Sequence, residues 1–199
     1  MALDMESVKK LREQTGISIL ECKKAVEESG GDLTKAAEIL RKKGFEKAKA
    51  KSTRVTNQGA VGSYIHMKGK IGVLLELGCE TDFVAQNEDF LQLLKDVAMQ
   101  VAAMNPRYIS EKDISSAELD KEKEIYRAQL KSSGKPANII EKIVEGKMGK
   151  FYAESCLLHQ NFFKDDSLTI EKLIAEKIHK TGENIVVKRF VRYQVGEEL

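Results

Sequence analysis

Residues 71–85 read Ile71-Gly72-Val73-Leu74-Leu75-Glu76-Leu77-Gly78-Cys79-Glu80-Thr81-Asp82-Phe83-Val84-Ala85. The largely aliphatic first half predicts a strand, which stops in a polar turn before a new apolar period begins. Thr81 and Asp82 are ordinary helix-capping residues, with side-chain oxygens that satisfy free amides of a first turn. Phe83 then has two readings. It can pack beside the cap as a hydrophobic staple, or it can be offered to another molecule. Taken alone, the turn is most simply a cap and a staple.

Outward from this junction, Gly59 to Ile65 forms a second apolar run, joined to Ile71–Leu77 by His66-Met67-Lys68-Gly69-Lys70. Two such runs with a glycine between them predict a hairpin. Downstream, Phe90, Leu91, Leu94, Val97, Ala98 and Val101 recur at helical spacing and predict an amphipathic helix ending before Pro106. Residues 115–152 read as two helices separated near Ser132-Ser133-Gly134-Lys135-Pro136, with the proline suited to a helix start. A further helix is expected from Leu168 to His179, closed by Thr181-Gly182-Glu183. The segment Asn184 to Val195 alternates, which puts Ile185, Val187, Val191, Tyr193 and Val195 on one face and Lys188 and Arg192 on the other. This strand is expected to pair with the hairpin. Residues 59–199 therefore predict an α+β core, a three-stranded antiparallel sheet covered by helices.

Residues 1–45 have a different pattern, that of three short helices. Val8 and Leu11 precede a stop at Thr15-Gly16, and Ser18-Ile19-Leu20-Glu21 has capping-box form before a helix through Ala25 and Val26. Gly30-Gly31 breaks that helix. Asp32 is placed to cap a third carrying Leu33, Ala36, Ala37 and Leu40, with Gly44 expected as its left-handed last residue. So small a bundle leaves some apolar residues at its surface. Ile17, Ile19 and Leu20 are the candidates. Consecutive helical residues point about 100° apart, so Ile19 and Leu20 cannot both face one core. Residues 46–58 lack an apolar period and read as a basic linker with a helical start.

At 199 residues, 42% hydrophobic and 32% charged, the chain is long enough for a small domain and a medium one. It contains no apolar run near the roughly 18 residues of a transmembrane helix, and Met1-Ala2-Leu3-Asp4-Met5-Glu6 has no signal-peptide character. No membrane association is expected, and a cytoplasmic location is. Cys22, Cys79 and Cys156 are scattered and lack CxxC spacing, so reduced thiols are expected rather than a disulfide framework or a structural zinc site. A formal net charge of +2 does not announce a nucleic-acid binder. Arg41, Lys42, Lys43, Lys47, Lys49, Lys51 and Arg54 nevertheless crowd one segment against Glu46 alone, so an RNA- or ribosome-associated binding protein is the alternative reading.

Enzymatic chemistry finds little footing. Cys156 and His159 lie three apart, but Leu157 and Leu158 between them mark a core rather than a nucleophile with an oriented base. His66 reads as a surface residue. Neither GxxxxGK[ST] nor GxGxxG occurs. No catalytic residue, metal site or cofactor is expected, and a binding protein remains.

Three stretches carry a resemblance. Leu11-Arg12-Glu13-Gln14-Thr15-Gly16, with Glu21-Cys22-Lys23-Lys24-Ala25 and Gly31-Asp32, resembles the N-terminal ubiquitin-associated-like module of the elongation factor Ts family, the guanine-nucleotide exchange factors of the GTPase elongation factor Tu. Cys79-Glu80-Thr81-Asp82-Phe83-Val84-Ala85 with Asn87-Glu88 resembles that family's best-marked motif, and Phe190-Val191-Arg192-Tyr193-Gln194-Val195-Gly196-Glu197 its closing strand. The resemblance implies elongation factor Tu as partner, with no direct nucleic-acid contact. It implies that the three-helix module docks on the nucleotide domain through Leu11, Ile19 and Leu20. It further implies that Thr81, Asp82, Phe83 and Val84 enter near the magnesium site, where Phe83 wedges apart side chains supporting the metal and phosphate loop and Asp82 steadies the wedge. Ile17-Ser18-Ile19-Leu20 departs from the smaller residues and Met-Met pair of many relatives. Longer relatives carry two related core subdomains, a coiled-coil insertion and a C-terminal helical module. One core copy here leaves two expectations, a homodimer whose partner supplies the second half or a monomer acting alone.

Overall fold

The computed structural model describes residues 5–131 and 135–198. Ser132, Ser133 and Gly134, where a helix break is expected, lie outside the described residues. The chain divides into two compact units. The first comprises Met1–Gly62, Leu75–Asp96 and Lys172–Phe190, and the second Ser63–Leu74, Val97–Glu171 and Val191–Leu199.

In the first unit, α1 (Met5–Thr15), α2 (Ile19–Glu28) and α3 (Leu33–Lys51) form the N-terminal bundle. Val8, Leu11, Ile17, Cys22, Ala25, Val26, Ala36 and Leu40 make its core. Ser18 Oγ accepts from Glu21 N at 3.4 Å, and Asp32 Oδ1 accepts from Thr34 N at 3.0 Å and Lys35 N at 3.1 Å. Each oxygen satisfies amides that the first turn leaves free. The expectation for Gly44 is overturned: α3 runs through it to Lys51, into the stretch read as linker. The glycine leaves room there for His179. A Cβ at Gly44 would stand 3.0 Å from His179 Nδ1 and 3.3 Å from its Cβ.

The sheet consists of β1 (Gln58–His66), β2 (Ile71–Cys79) and β5 (Ile185–Gln194) in the order β1-β2-β5. Asn184 N binds Glu80 while Val195 N binds Lys70 O, so β5 runs antiparallel to β2. Val73, Leu75 and Leu77 are buried while Leu74 is exposed, which gives β2 one covered face and one open face. The short helix α4 (Asp82–Ala85) and the long α5 (Glu88–Met104) follow. Gly62 lets α5 approach the sheet: a Cβ there would fall 2.7 Å from Leu94 Cγ. The alternation expected of β5 does not hold along its length. Ile185 and Val187 are buried, Lys188 and Arg189 are both exposed, and beyond them Val191, Tyr193 and Val195 are exposed while the Arg192 side chain is nearly covered. The covered positions are thus the odd-numbered ones up to Val187 and an even-numbered one at Arg192.

In the second unit, α6 (Ser116–Leu130) and α7 (Ala137–Ser155) form a hairpin, with Pro136 directly before α7. Val144, Met148, Phe151, Cys156 and Ile114 form its core, and Arg127 clasps Glu141 through two hydrogen bonds of 2.8 and 2.9 Å. A small hairpin of β3 (Asn161–Phe162) and β4 (Asp165–Thr169) follows, which periodicity could not register because β3 has only two residues. In consequence the helix expected from Leu168 begins at Ile170, as α8 (Ile170–Thr181). The architecture is α+β with an N-terminal helical module resembling a ubiquitin-associated domain.

Candidate protein-docking site

The end of β2 runs into α4 through Glu80-Thr81. Thr81 caps α4, its Oγ1 accepting from Val84 N at 3.4 Å. Phe83 is not a staple. It stands 83% exposed, the most exposed large apolar side chain among the described residues, with Asp82 exposed beside it and Val84 half-buried.

The backbone beneath the ring is tightly held. Thr81 N donates to Glu183 Oε2 at 3.0 Å and Thr81 Oγ1 donates to Glu183 Oε1 at 2.6 Å. Across the same junction Asn184 N donates to Glu80 Oε1 at 2.6 Å, and Arg54 Nη1 lies 3.5 Å from that oxygen. Cys79 Sγ donates to Thr81 O at 3.1 Å. Burial, then the nearby Glu183 carboxylate, pushes the Cys79 thiol above its ordinary range, so it keeps its proton and serves as a donor. Glu183 read in sequence only as part of a helix closure. Nothing local signals its contact with Thr81, a residue 102 positions away.

The N-terminal candidates separate. Leu20 is 69% exposed and Ile19 40%, at the start of α2. Leu11 is fully buried in the bundle core, so it supports that surface from within and is not on it; Ile17 is buried too. The reason is helical phase: Leu11 shares the inner stripe of α1 with Val8. Glu21, next to Leu20, joins Lys47 of α3 in an ion pair and lies 3.0 Å from His179 Nε2 of α8. Burial alone would raise the Glu21 carboxyl, but hydrogen bonds and charge from Lys47 and His179 outweigh it and hold it low.

Elsewhere the chemistry is quiet. Cys156 is fully buried, and burial pushes its thiol up to about 11, so it is no nucleophile at neutral pH. Among the described residues there is no cluster of three or more metal-ligating side chains, and no helix is long and apolar enough to cross a membrane. An exposed aromatic on a braced turn and an exposed apolar pair on a separate bundle are features of a protein that works by binding.

The family profile described as Elongation factor TS matches residues 5–197. This chain belongs to the elongation factor Ts family. The Elongation factor Ts of Thermodesulfovibrio yellowstonii is 57% identical over 197 residues, covering 99% of this chain and 98% of its own. That of Thermotoga neapolitana is 54% identical over 198 residues, the whole of both chains, and that of Geobacter metallireducens 51% identical over 199, with 92% of its length covered. Membership makes the chain a translation elongation factor of the Ts type.

Proposed function

We propose that this chain is a guanine-nucleotide exchange factor that binds elongation factor Tu loaded with GDP and promotes release of the nucleotide. Ile19 and Leu20 dock the N-terminal helices on the nucleotide domain, with Leu11 as their buried support. Thr81, Asp82, Phe83 and Val84 enter beside the magnesium site, where the phenyl ring displaces side chains that support the metal and the phosphate loop. The observation that carries this reading is Phe83, 83% exposed on a backbone fixed by its neighbours. No covalent chemistry is needed. A protein that binds the GTPase better without nucleotide than with it must weaken nucleotide binding by the same factor. Nucleotide held at nanomolar strength demands several kcal/mol of differential contact, since each tenfold is about 1.4 kcal/mol, and that favours two contact regions over one ring.

A second copy of the chain completes the proposal. The open sheet face of the second unit leaves Ile65, Leu74, Tyr193 and Val195 in solvent, an apolar surface suited to another like it. The RNA reading of residues 41–54 gains no support. Arg41 pairs with Glu176, Lys43 with Glu28, Lys47 with Glu21 and Arg54 with Glu80, while Lys51 donates to Gly182 O, so most of that charge is already partnered.

The test is release of a fluorescent GDP from elongation factor Tu with wild-type chain and with Phe83→Ala, alongside thermal melts of both. The expected result is faster release with the wild type, a large loss with Phe83→Ala, and nearly equal melting temperatures. Full acceleration by Phe83→Ala would refute the wedge.

A further inference from the structure

The helix carrying Phe83 has only four residues, Asp82–Ala85, too few to hold a direction by its own hydrogen bonds. The ring cannot fix it either, because it is 83% exposed. Orientation must come from Thr81, the residue at which the turn leaves β2. There Glu183 takes both donors of one residue, the amide at 3.0 Å and the hydroxyl at 2.6 Å. A carboxylate is suited to this as no neutral side chain is, since both of its oxygens only accept. The grip also sets the cap. With the single hydroxyl hydrogen given to Glu183, Thr81 Oγ1 is left as an acceptor, and it faces Val84 N at 3.4 Å. Glu183 is itself anchored, its amide donating to Thr181 Oγ1 at 3.4 Å and the next residue's amide donating to Glu80.

A wedge that must push a partner's side chains apart is pushed back. A ring on a loose turn would swing aside and lose the transition-state contact while still allowing the protein to dock. We infer that Glu183 is a positioning residue for nucleotide exchange, acting on the partner only through Thr81 and the direction it gives to Phe83. The inference rests on the wedge reading above and adds a residue to it from a segment 102 positions away.

The experiment measures GDP release from elongation factor Tu over a range of exchange-factor concentrations for the wild type, Glu183→Gln, Phe83→Ala and the double variant, with a thermal melt of each. Glutamine keeps the shape but not the charge: its oxygen can still accept from Thr81 N, but its NH2 can only donate to Thr81 Oγ1, so both charge-assisted bonds are lost and the hydroxyl hydrogen no longer has its acceptor. The saturating release rate of Glu183→Gln is expected to fall about five- to twentyfold, with the half-saturating concentration changed less than about threefold because Ile19 and Leu20 still dock. In the Phe83→Ala background the same substitution should cost nothing further, since there is no ring left to aim. Glu183→Asp, which keeps both acceptors, should recover part of the rate. Thr81→Val, which keeps the amide but loses the hydroxyl, repeats the test should Glu183→Gln fold poorly. A normal saturating rate for Glu183→Gln, or an equal fractional loss with and without the ring, overturns the positioning role. Failure of the wedge itself shows separately, as normal exchange by Phe83→Ala alone.

Discussion

A phenyl ring left in water forfeits burial energy that it can recover only against another surface. Moving the Phe83 ring from solvent into a partner is worth on the order of 1.5 to 3 kcal/mol, so Phe83→Ala should slow accelerated GDP release about ten- to a hundredfold. Its melting temperature should stay within a degree or two of wild type, roughly what a surface truncation costs. Asp82→Ala should act in the same direction but more weakly, since it removes polar contacts and not the ring. Leu11 and Leu20 form an opposite pair. Leu11→Ala empties a fully buried site and should destabilise the bundle by about 2 to 5 kcal/mol in a denaturant titration. Leu20→Ala removes an exposed side chain, so stability should change by less than about 0.5 kcal/mol while the concentration needed for half-maximal exchange rises. Large stability loss from Leu20→Ala would place it in the core and remove it from the docking surface.

At the level of elements, helices of the first unit are tied by a few charged residues. Asp89 of α5 meets Lys180 at 2.7 Å and Lys177 at 2.9 Å, both on α8. The hydrogen bond from Lys180, opposed by burial and reinforced by Lys177, holds the Asp89 carboxyl below its ordinary value. A carboxyl depressed on folding stabilises the protein above its unfolded value, near 3.9, and that contribution is lost as pH falls through the folded value. Asp89→Asn should therefore cost about 1 kcal/mol at pH 7, and melts of the variant and wild type should converge as pH falls through the lowered folded value of the Asp89 carboxyl. A gap that persists unchanged into acid would assign the loss to packing. Gly44 is the second tie. Glycine to alanine inside a helix usually gains about 1 kcal/mol, but here the added carbon meets His179, itself held by Glu21 and Lys47. A still bulkier Gly44→Val should lower stability by about 1 to 3 kcal/mol, read by denaturant titration.

For the whole molecule, the open face of the sheet is the feature that a lone chain explains least well. Ile65, Leu74, Tyr193 and Val195 are exposed together in the second unit, where solvated sheet faces ordinarily carry polar residues. If a second copy covers them, exchange activity per chain should fall on dilution through the dissociation constant of the pair. Light scattering at micromolar concentration should report twice the chain mass, and Tyr193→Asp should return it to the single-chain value. A single-chain mass with undiminished exchange at all dilutions would dispose of the pair.

Much of this was legible in the chain itself. Periodicity marks α1, α2, α5 and both strands of the hairpin, the caps Ser18, Asp32 and Thr81 stand where their oxygens are needed, and the Thr81–Val84 turn is identifiable from its residues. These are short-range matters, set by backbone amides and by which face of an element is apolar. What only the tertiary structure decided are contacts between residues far apart in the chain. Whether Phe83 was staple or exposed ring depended on whether anything packed against it, and whether Gly44 ended a helix or made room for one depended on His179. The change of covered positions along β5 likewise followed from its neighbours, because alternation in sequence carries no record of what packs on each face. The grip of Glu183 on Thr81 spans 102 residues and that of His179 on Glu21 spans 158. No periodicity reaches so far, and such pairs exist only once packing has brought their elements within the length of a hydrogen bond.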